Sequence, residues 1–269
     1  MLKTSNFLVP PDKKIKLSDY EPDNTDGFKG KAHAETMLEK HRQKLFELQE
    51  LLYAEGKRSL LVVLQAMDAG GKDGTIRHIF TGVNPQGCRV SSFKVPTEEE
   101  LRHDFLWRIH KVVPAAGMIG IFNRSHYEGV LVVRVHGLIK DKEADRRFVE
   151  INNFEKLLTN QNTTVLKFFL HISKDEQKKR LEERLRDPKK YWKVNPTDLQ
   201  ERKRWDEYEK AYEDVFRNCS SKNSPWYVIP ANKKWFRNVV ISQIIVDTLE
   251  SLDMKYPKSK FDLKKLKVE

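Results

Sequence analysis

The stretch LQAMDAGGKDGT, residues 64–75, sets Asp68, Lys72, Asp73 and Thr75 around three glycines, directly after an apolar run. A glycine-rich turn between a strand and a helix presents a compact row of backbone N–H groups at the helix N-terminus, where donors and helix dipole favour phosphate. Lys72 would supply a point charge. Ala69, Gly70, Gly71 and Gly74 leave room for the backbone to approach an anion closely. The run departs from GxxxxGK[ST] in three places: Ala66 stands at the first glycine, Asp73 at the magnesium-binding hydroxyl, and Thr75 comes two positions late. The loop therefore looks like a phosphate cradle with surplus carboxylates.

Carboxylates beside phosphate repel it unless a cation intervenes, and magnesium, with manganese as the alternative ion, takes both kinds of oxygen together. Asp68 is the better candidate to meet the attacking phosphate or its metal; Asp73 is either a further phosphate-side acid or simply a helix-start acid. A second polar set, Asn123-Arg124-Ser125-His126-Tyr127-Glu128, follows the apolar run Met118 to Phe122. Arg124 offers a planar fork of donors for transferring phosphoryl oxygens. Glu128 could reach a metal or pair locally with Arg124, and Tyr127 reads as packing. A third set, Arg180, Arg184, Lys189 and Lys190, crowds a charged helix and its exit; Arg180 and Arg184 share a face four residues apart. Such a helix near the strand ends would close over phosphates as a lid and exclude water. Thr97, following Pro96, reads as a helix cap.

Apolar runs predict strands at Leu60 to Leu64, Met118 to Phe122, Val165 to Ile172 and Trp226 to Pro230, with a weaker one at Arg89 to Phe93. Helical stretches alternate with them: Gly74 to Phe80, Glu98 to Val112, Lys140 to Thr159, Lys174 to Arg186 and Thr197 to Asn218. Amphipathic helices are expected at Lys31 to Ala54 and Lys233 to Met254. Strand and helix in alternation make an α/β fold with a mostly parallel sheet, helices on both faces and a ligand site beyond the strand C-termini. Residues 1–30 read as an extended arm, 31–254 as one domain with a lid at about 174–196, and 255–269 as a basic tail.

The 269 residues carry a formal charge of +11, from 50 Lys and Arg against 39 Asp and Glu, which points to an anionic partner. Cys88 and Cys219, the two cysteines, stand far apart with no Cys-x-x-Cys pattern, so a disulfide framework or structural zinc is not expected. No secretory leader or membrane span is visible, and the expected location is the cytoplasm, away from membranes.

Taken in order, MDAGGKDGTIRHIF, FNRSHYEGVLVVRV, FFLHISKDEQKKRLEERLRDPKKYW and SPWYVIPANKKWFRN closely resemble the second family of polyphosphate kinases, over about residues 51–252. The resemblance implies a P-loop kinase fold like that of thymidylate kinase, and magnesium-assisted phosphoryl transfer between inorganic polyphosphate and a nucleotide. It makes Asp68 the catalytic loop acid, Lys72 and Gly74 part of the cradle, Arg124 and Ser125 the Arg-Ser motif, and Arg180 and Arg184 part of the lid. The family often has aspartate where this chain has Asn123; an amide is a poorer magnesium ligand, and Glu128 would compensate. The Asn-Arg-Ser-His-Tyr-Glu form resembles the subgroup acting on both AMP and ADP, with guanine nucleotides as further acceptors. The resemblance also implies a nucleotide pocket, with Thr97, Asp104, Arg108 and Asn123 facing it and Asn232 and Arg237 as nucleotide or lid contacts. A homo-oligomer, dimer or tetramer, is also implied. The basic surface then reads as a polyphosphate groove drawing on Lys31, Arg89, Lys94, Arg180, Lys189, Lys190 and Lys234, and nucleic acid is not expected as a partner. The rival reading is an ATP-dependent nucleoside or nucleotide kinase.

Overall fold

The protein is described from a computed structural model, which covers residues 2–11, 13–25, 28 and 30–266. Its helices are α1 (Lys31–Glu55), α2 (Lys72–Ile79), α3 (Glu98–Leu101), α4 (Trp107–His110), α5 (Val132–Val135), α6 (Asp141–Asn160), α7 (Lys174–Arg186), α8 (Pro196–Lys203), α9 (Trp205–Cys219) and α10 (Lys234–Ser251). Its strands are β1 (Ser59–Gln65), β2 (Cys88–Ser92), β3 (Ile119–Asn123), β4 (Thr163–His171) and β5 (Trp226–Pro230). Among the described residues the five strands form one parallel sheet in the order β2-β3-β1-β4-β5.

β1 is central and reads SLLVVLQ without alternation, because both of its faces are covered and every residue in it is buried. Helices α1, α2 and α10 pack on one side, and α5, α6 and α9 group on the other. The sheet is parallel, so its strand C-termini lie at one edge. The loops after β1 and β3 therefore emerge side by side, with Leu64 of β1 in register with Asn123 of β3.

Two expected helices are broken. The stretch from Glu98 to Val112 divides into α3 and α4 around Arg102 to Leu106, where the Asp104 carboxylate accepts from Leu106 N at 2.9 Å. A short polar side chain that satisfies the backbone locally competes with the helix. The stretch from Thr197 to Asn218 divides into α8 and α9 at Arg204.

The N-terminal segment, expected as an extended arm, is a strap with two short 3-10 turns that crosses the β5 edge. Leu8 bridges Tyr227, Val9 N donates to Trp226 O at 2.9 Å, and Phe7, Val9 and Leu17 are buried. At the other terminus Met254 is the last buried residue among those described, and Tyr256, Phe261 and Leu263 are exposed. Among the described residues no helix is long and apolar enough to cross a membrane.

Candidate active site

The chain leaves β1 at Gln65 and turns through Ala66–Gly71 before Lys72 opens α2. Ala69 adopts φ +59° and Gly71 φ +100°. A non-glycine residue in the left-handed region is sparsely populated and clusters at functional turns. Across the cleft Arg124, the first residue after β3, does the same at φ +62°, and its N–H donates to Leu64 O at 3.0 Å. The end of β3 is thereby pinned to the end of β1, and Arg124 is aimed at the loop.

There its Nη2 lies 3.3 Å from Asp68 Oδ1. Burial pulls the Arg124 guanidinium down, but Glu128 and Asp68 outweigh it and hold its pKa above the ordinary value. Burial pushes the Glu128 carboxyl up against the pull of Arg124 and Lys72. Lys72 is lowered by burial and then by Arg124, and its Nζ donates to Ala66 O at 3.1 Å. Two cations, Lys72 and Arg124, thus converge on the loop with Asp68 and Glu128 between them. Gln65 Nε2 donates to Ser125 Oγ at 3.2 Å, and Ser125 Oγ accepts from Tyr127 N. Ser125 is buried, so it shapes the turn.

Asn123, expected at a metal or nucleotide, donates from Nδ2 to Asp73 Oδ1 at 2.7 Å. That bond ties the first turn of α2 to β3. An aspartate at 123 would set two carboxylates against each other, so the amide suits Asp73. Thr75, expected at phosphate, is instead fully buried: its Oγ1 donates to Gly71 O at 3.1 Å and its N–H to the same oxygen at 2.9 Å.

Arg180 also departs from expectation. It is 6% exposed and lies beneath the loop, donating to Glu176, to Ala69 O and Gly70 O at 3.1 Å, and to Ala231 O and Asn232 O. Its donors are directed at carbonyls that shape the loop and do not reach the open cleft. Arg237, expected near nucleotide, lies beside it: Nε and Nη2 fork onto Asn238 Oδ1 at 3.1 and 2.8 Å, and Nη1 approaches Gly70 O at 3.5 Å. Burial, and then Arg180, pull the Arg237 pKa down to about 9. Asn232 accepts from Ser173 N at 3.0 Å and serves the start of α7.

A Cβ on Gly71 would lie 2.2 Å from Arg237 Nη1 and 3.6 Å from Arg180 Nη1. Gly71→Ala is therefore expected to lower unfolding free energy by about 1–3 kcal/mol through backbone strain alone. It should also weaken binding of tripolyphosphate; urea denaturation and calorimetric titration check both.

Two clefts meet at Asp68 and Arg124. The first, about 550 Å³, is floored by residues 68–74 and flanked by Lys94, Arg124, Arg184 and Lys193. The second, about 250 Å³, holds Glu128, Glu201 and the aromatic side chains of Trp205, Tyr208 and Tyr212. Arg184 reaches the first cleft while donating to Asp198 Oδ2 at 3.0 Å. Asp198 and Asn195, at the start of α8, line both clefts and were missed by sequence reasoning. The Asn195-Pro196 pair, a cap followed by proline at N1, was the available signal.

The structure does not bring the remaining expected residues to these clefts. Thr97 forms a capping box with Glu100, while Arg108 pairs with Glu100 at 3.0 Å and reaches Lys94 O. Lys190 pairs with Asp187, and neither it nor Lys189 lines a described cleft. Of the lysines and Arg89 named for a groove, Lys94 lines the phosphate-loop cleft. Lys31 and Lys234 line a separate cleft of about 1060 Å³ between α1, α7 and α10, where Asp23, Glu35 and Glu183 offset them.

Among the described residues no three His, Cys, Asp or Glu side chains converge to hold a metal unaided. The oxygens of Asp68 and Glu128 beside a phosphate cleft still fit magnesium, which uses one or two carboxylates together with substrate phosphates and water.

A glycine-rich loop between a central parallel strand and a helix, with Lys72 at the helix start and Arg124 opposite, defines a P-loop phosphotransferase. The polyphosphate kinase 2 family model matches residues 29–257, and the chain belongs to that family. It is similar to the AMP/ADP-polyphosphate phosphotransferase of Meiothermus ruber, 53% identical over 264 residues, covering 98% of this chain and 99% of the relative. It is 45% identical to the ADP-polyphosphate phosphotransferase of Rhodopseudomonas palustris, over 96% of this chain and 93% of that one. The crystal structure of polyphosphate kinase 2 from Arthrobacter aurescens TC1 superposes with a TM-score of 0.92 at 47% identity, over 95% of this chain and 92% of that chain.

Proposed function

We propose that this chain transfers the terminal phosphoryl group of inorganic polyphosphate to AMP and to ADP, giving ADP and ATP, and that the transfer is reversible. The observation that carries it is the convergence of Lys72, in the loop cleft, on Arg124 and Asp68, the pair at which the two clefts meet. The loop cleft with Lys94, Arg184 and Lys193 suits a polyanionic donor, and the aromatic cleft suits the acceptor nucleotide. Both relatives above carry polyphosphate and adenine nucleotides in their names.

In the reaction an oxygen of the acceptor's terminal phosphate attacks the end phosphorus of the chain. A new P–O bond forms as the bridging P–O bond breaks, and the electron pair leaves on a polyphosphate shorter by one unit. The loop N–H groups and Lys72 hold the donor oxygens, and Arg124 stabilises charge on the group in flight. Asp68 fixes Arg124 and orients the acceptor; the attacking phosphate oxygen is already anionic, so no strong general base is required. Magnesium, held by Asp68 and Glu128 with substrate oxygens, would neutralise phosphate charge when bound. Arg180 and Arg237 act from beneath the loop as positioning residues. We place the enzyme in the cytoplasm as a homo-oligomer.

Purified protein incubated with magnesium, long-chain polyphosphate and AMP, without ATP, should yield ADP and then ATP on nucleotide chromatography. An Asp68→Asn control should yield neither. Product from ADP but none from AMP would remove the dual-acceptor reading. Transfer only when ATP replaces polyphosphate would establish the rival nucleotide kinase.

A further inference from the structure

Arg237 is 1% exposed, yet among the described residues no carboxylate pairs with it. A guanidinium carries five N–H donors. The three bonds it makes go to a side-chain amide and a backbone carbonyl, both neutral. A buried charge is ordinarily neutralised by a partner, because removing it from water is costly. Beside it stands Arg180, a charge of the same sign: a Cβ on Gly71 would touch both guanidinium groups. Arg180 has Glu176 at 2.7 Å as its counterion, and Arg237 has none.

What lies over Arg237 is the phosphate loop. Its Nη1 faces Gly70 O, its Nη2 stands 3.7 Å from the place a Cβ on Gly74 would occupy, and the loop's opposite surface is the open cleft. We propose that Arg237 is a positioning residue whose missing counterion is the polyphosphate itself: the substrate's anionic oxygens, bound on the far side of the loop, neutralise it through the backbone. The inference rests on the reading of residues 68–74 as a polyphosphate cradle. Asn238 is then the residue that keeps the charge available. It holds the guanidinium by a forked hydrogen bond without neutralising it, and a carboxylate there would satisfy Arg237 permanently.

The experiment compares wild type, Asn238→Asp, Arg237→Gln and Arg237→Lys as full chains, reading the melting temperature without ligand and the dissociation constant of tripolyphosphate with magnesium. A unit charge acting over this short, poorly solvated distance should change anion affinity about tenfold or more. In Asn238→Asp the polyphosphate KM should rise about tenfold, with the AMP KM unchanged. The same variant should melt about 2–4 °C higher without ligand, because the counterion is now built in. Arg237→Gln should likewise bind tripolyphosphate weakly without melting lower than wild type, and Arg237→Lys should bind nearly as wild type. Asn238→Asp keeps Arg237 and adds no volume, so the test does not depend on Arg237→Gln folding. Unchanged tripolyphosphate affinity in Asn238→Asp, with wild-type binding intact, would overturn this inference alone. No tripolyphosphate binding by the wild type would overturn the reading of the loop and this inference with it.

Discussion

Lys72→Met should lower kcat for phosphoryl transfer by about 10²–10³-fold, the usual cost of deleting one preorganised group that stabilises transition-state charge. Its melting temperature should stay within a few degrees of wild type. The two halves of that result have one cause. Burial and then Arg124 disfavour the Lys72 charge, against the pull of Asp68, Glu128 and Asp73, so removing that charge is expected to cost little stability. Among the described residues its one side-chain hydrogen bond is to Ala66 O. On the proposed function the lysine is held for an anion that arrives with substrate. Steady-state kinetics with polyphosphate and ADP, beside a thermal melt, measures both halves. A loss under tenfold would remove Lys72 from the transferred phosphate, and a large drop in melting temperature would make it a structural lysine.

Glu155→Gln should cost about 3–5 kcal/mol of folding free energy, the penalty for leaving a buried charge without its partner. Lys167, in the middle of β4, is 0% exposed, and its Nζ sits 2.5 Å from Glu155 Oε2 and 2.6 Å from Cys219 O. The other Glu155 oxygen accepts from Tyr127 OH at 2.7 Å and is 3.1 Å from His126 Nε2. Burial alone would raise the Glu155 pKa, but Lys167 and then His126 overcome it and hold it at about 2. A depressed carboxyl stabilises the fold fully above its unfolded pKa and loses that contribution as pH falls through the folded value. Wild type should therefore lose this share of its stability between about pH 4.5 and pH 2, and Glu155→Gln should show no such loss there. Urea melts at pH 7 and across that window give both quantities. Replacing Lys167 by methionine together with Glu155→Gln should recover much of the loss, since the stranded charge is gone. An unstable double variant would show that the hydrogen bonds matter more than the charge.

That network was readable in part. Lys167 interrupts an apolar run destined for a strand buried on both faces, and a lysine there must have a partner. Its identity was hidden, because Glu155, Tyr127 and Cys219 come from α6, the turn after β3 and the end of α9. The same limit explains Arg180 and Arg237. Sequence gives charge, and charge near a glycine loop suggests phosphate; burial decides whether the guanidinium faces the anion or the back of the loop. The strands and the loop were legible because apolar runs and Gly-Gly-Lys are local signals. The breaks at Arg102 to Leu106 and at Arg204 were not, since their helical periodicity continues through them. Asn123 was read by contrast with the family's aspartate, whereas its actual partner, Asp73, lies 50 residues earlier in the chain.

The central place of β1 also governs how the chain is made. It is made before the other four described strands, yet its two neighbours begin at Ile119 and Thr163, the latter 104 residues after its own Ser59. At about 5–20 residues per second, SLLVVLQ waits roughly 5–20 s with at least one bare edge before the sheet can close around it. It is a short, apolar, uncharged segment without proline or glycine, of the kind that pairs with copies of itself. The strand that carries the phosphate loop is thus the part of the nascent chain most in need of shelter, and slowing translation between residues 66 and 163 should cost soluble yield before it costs activity per molecule.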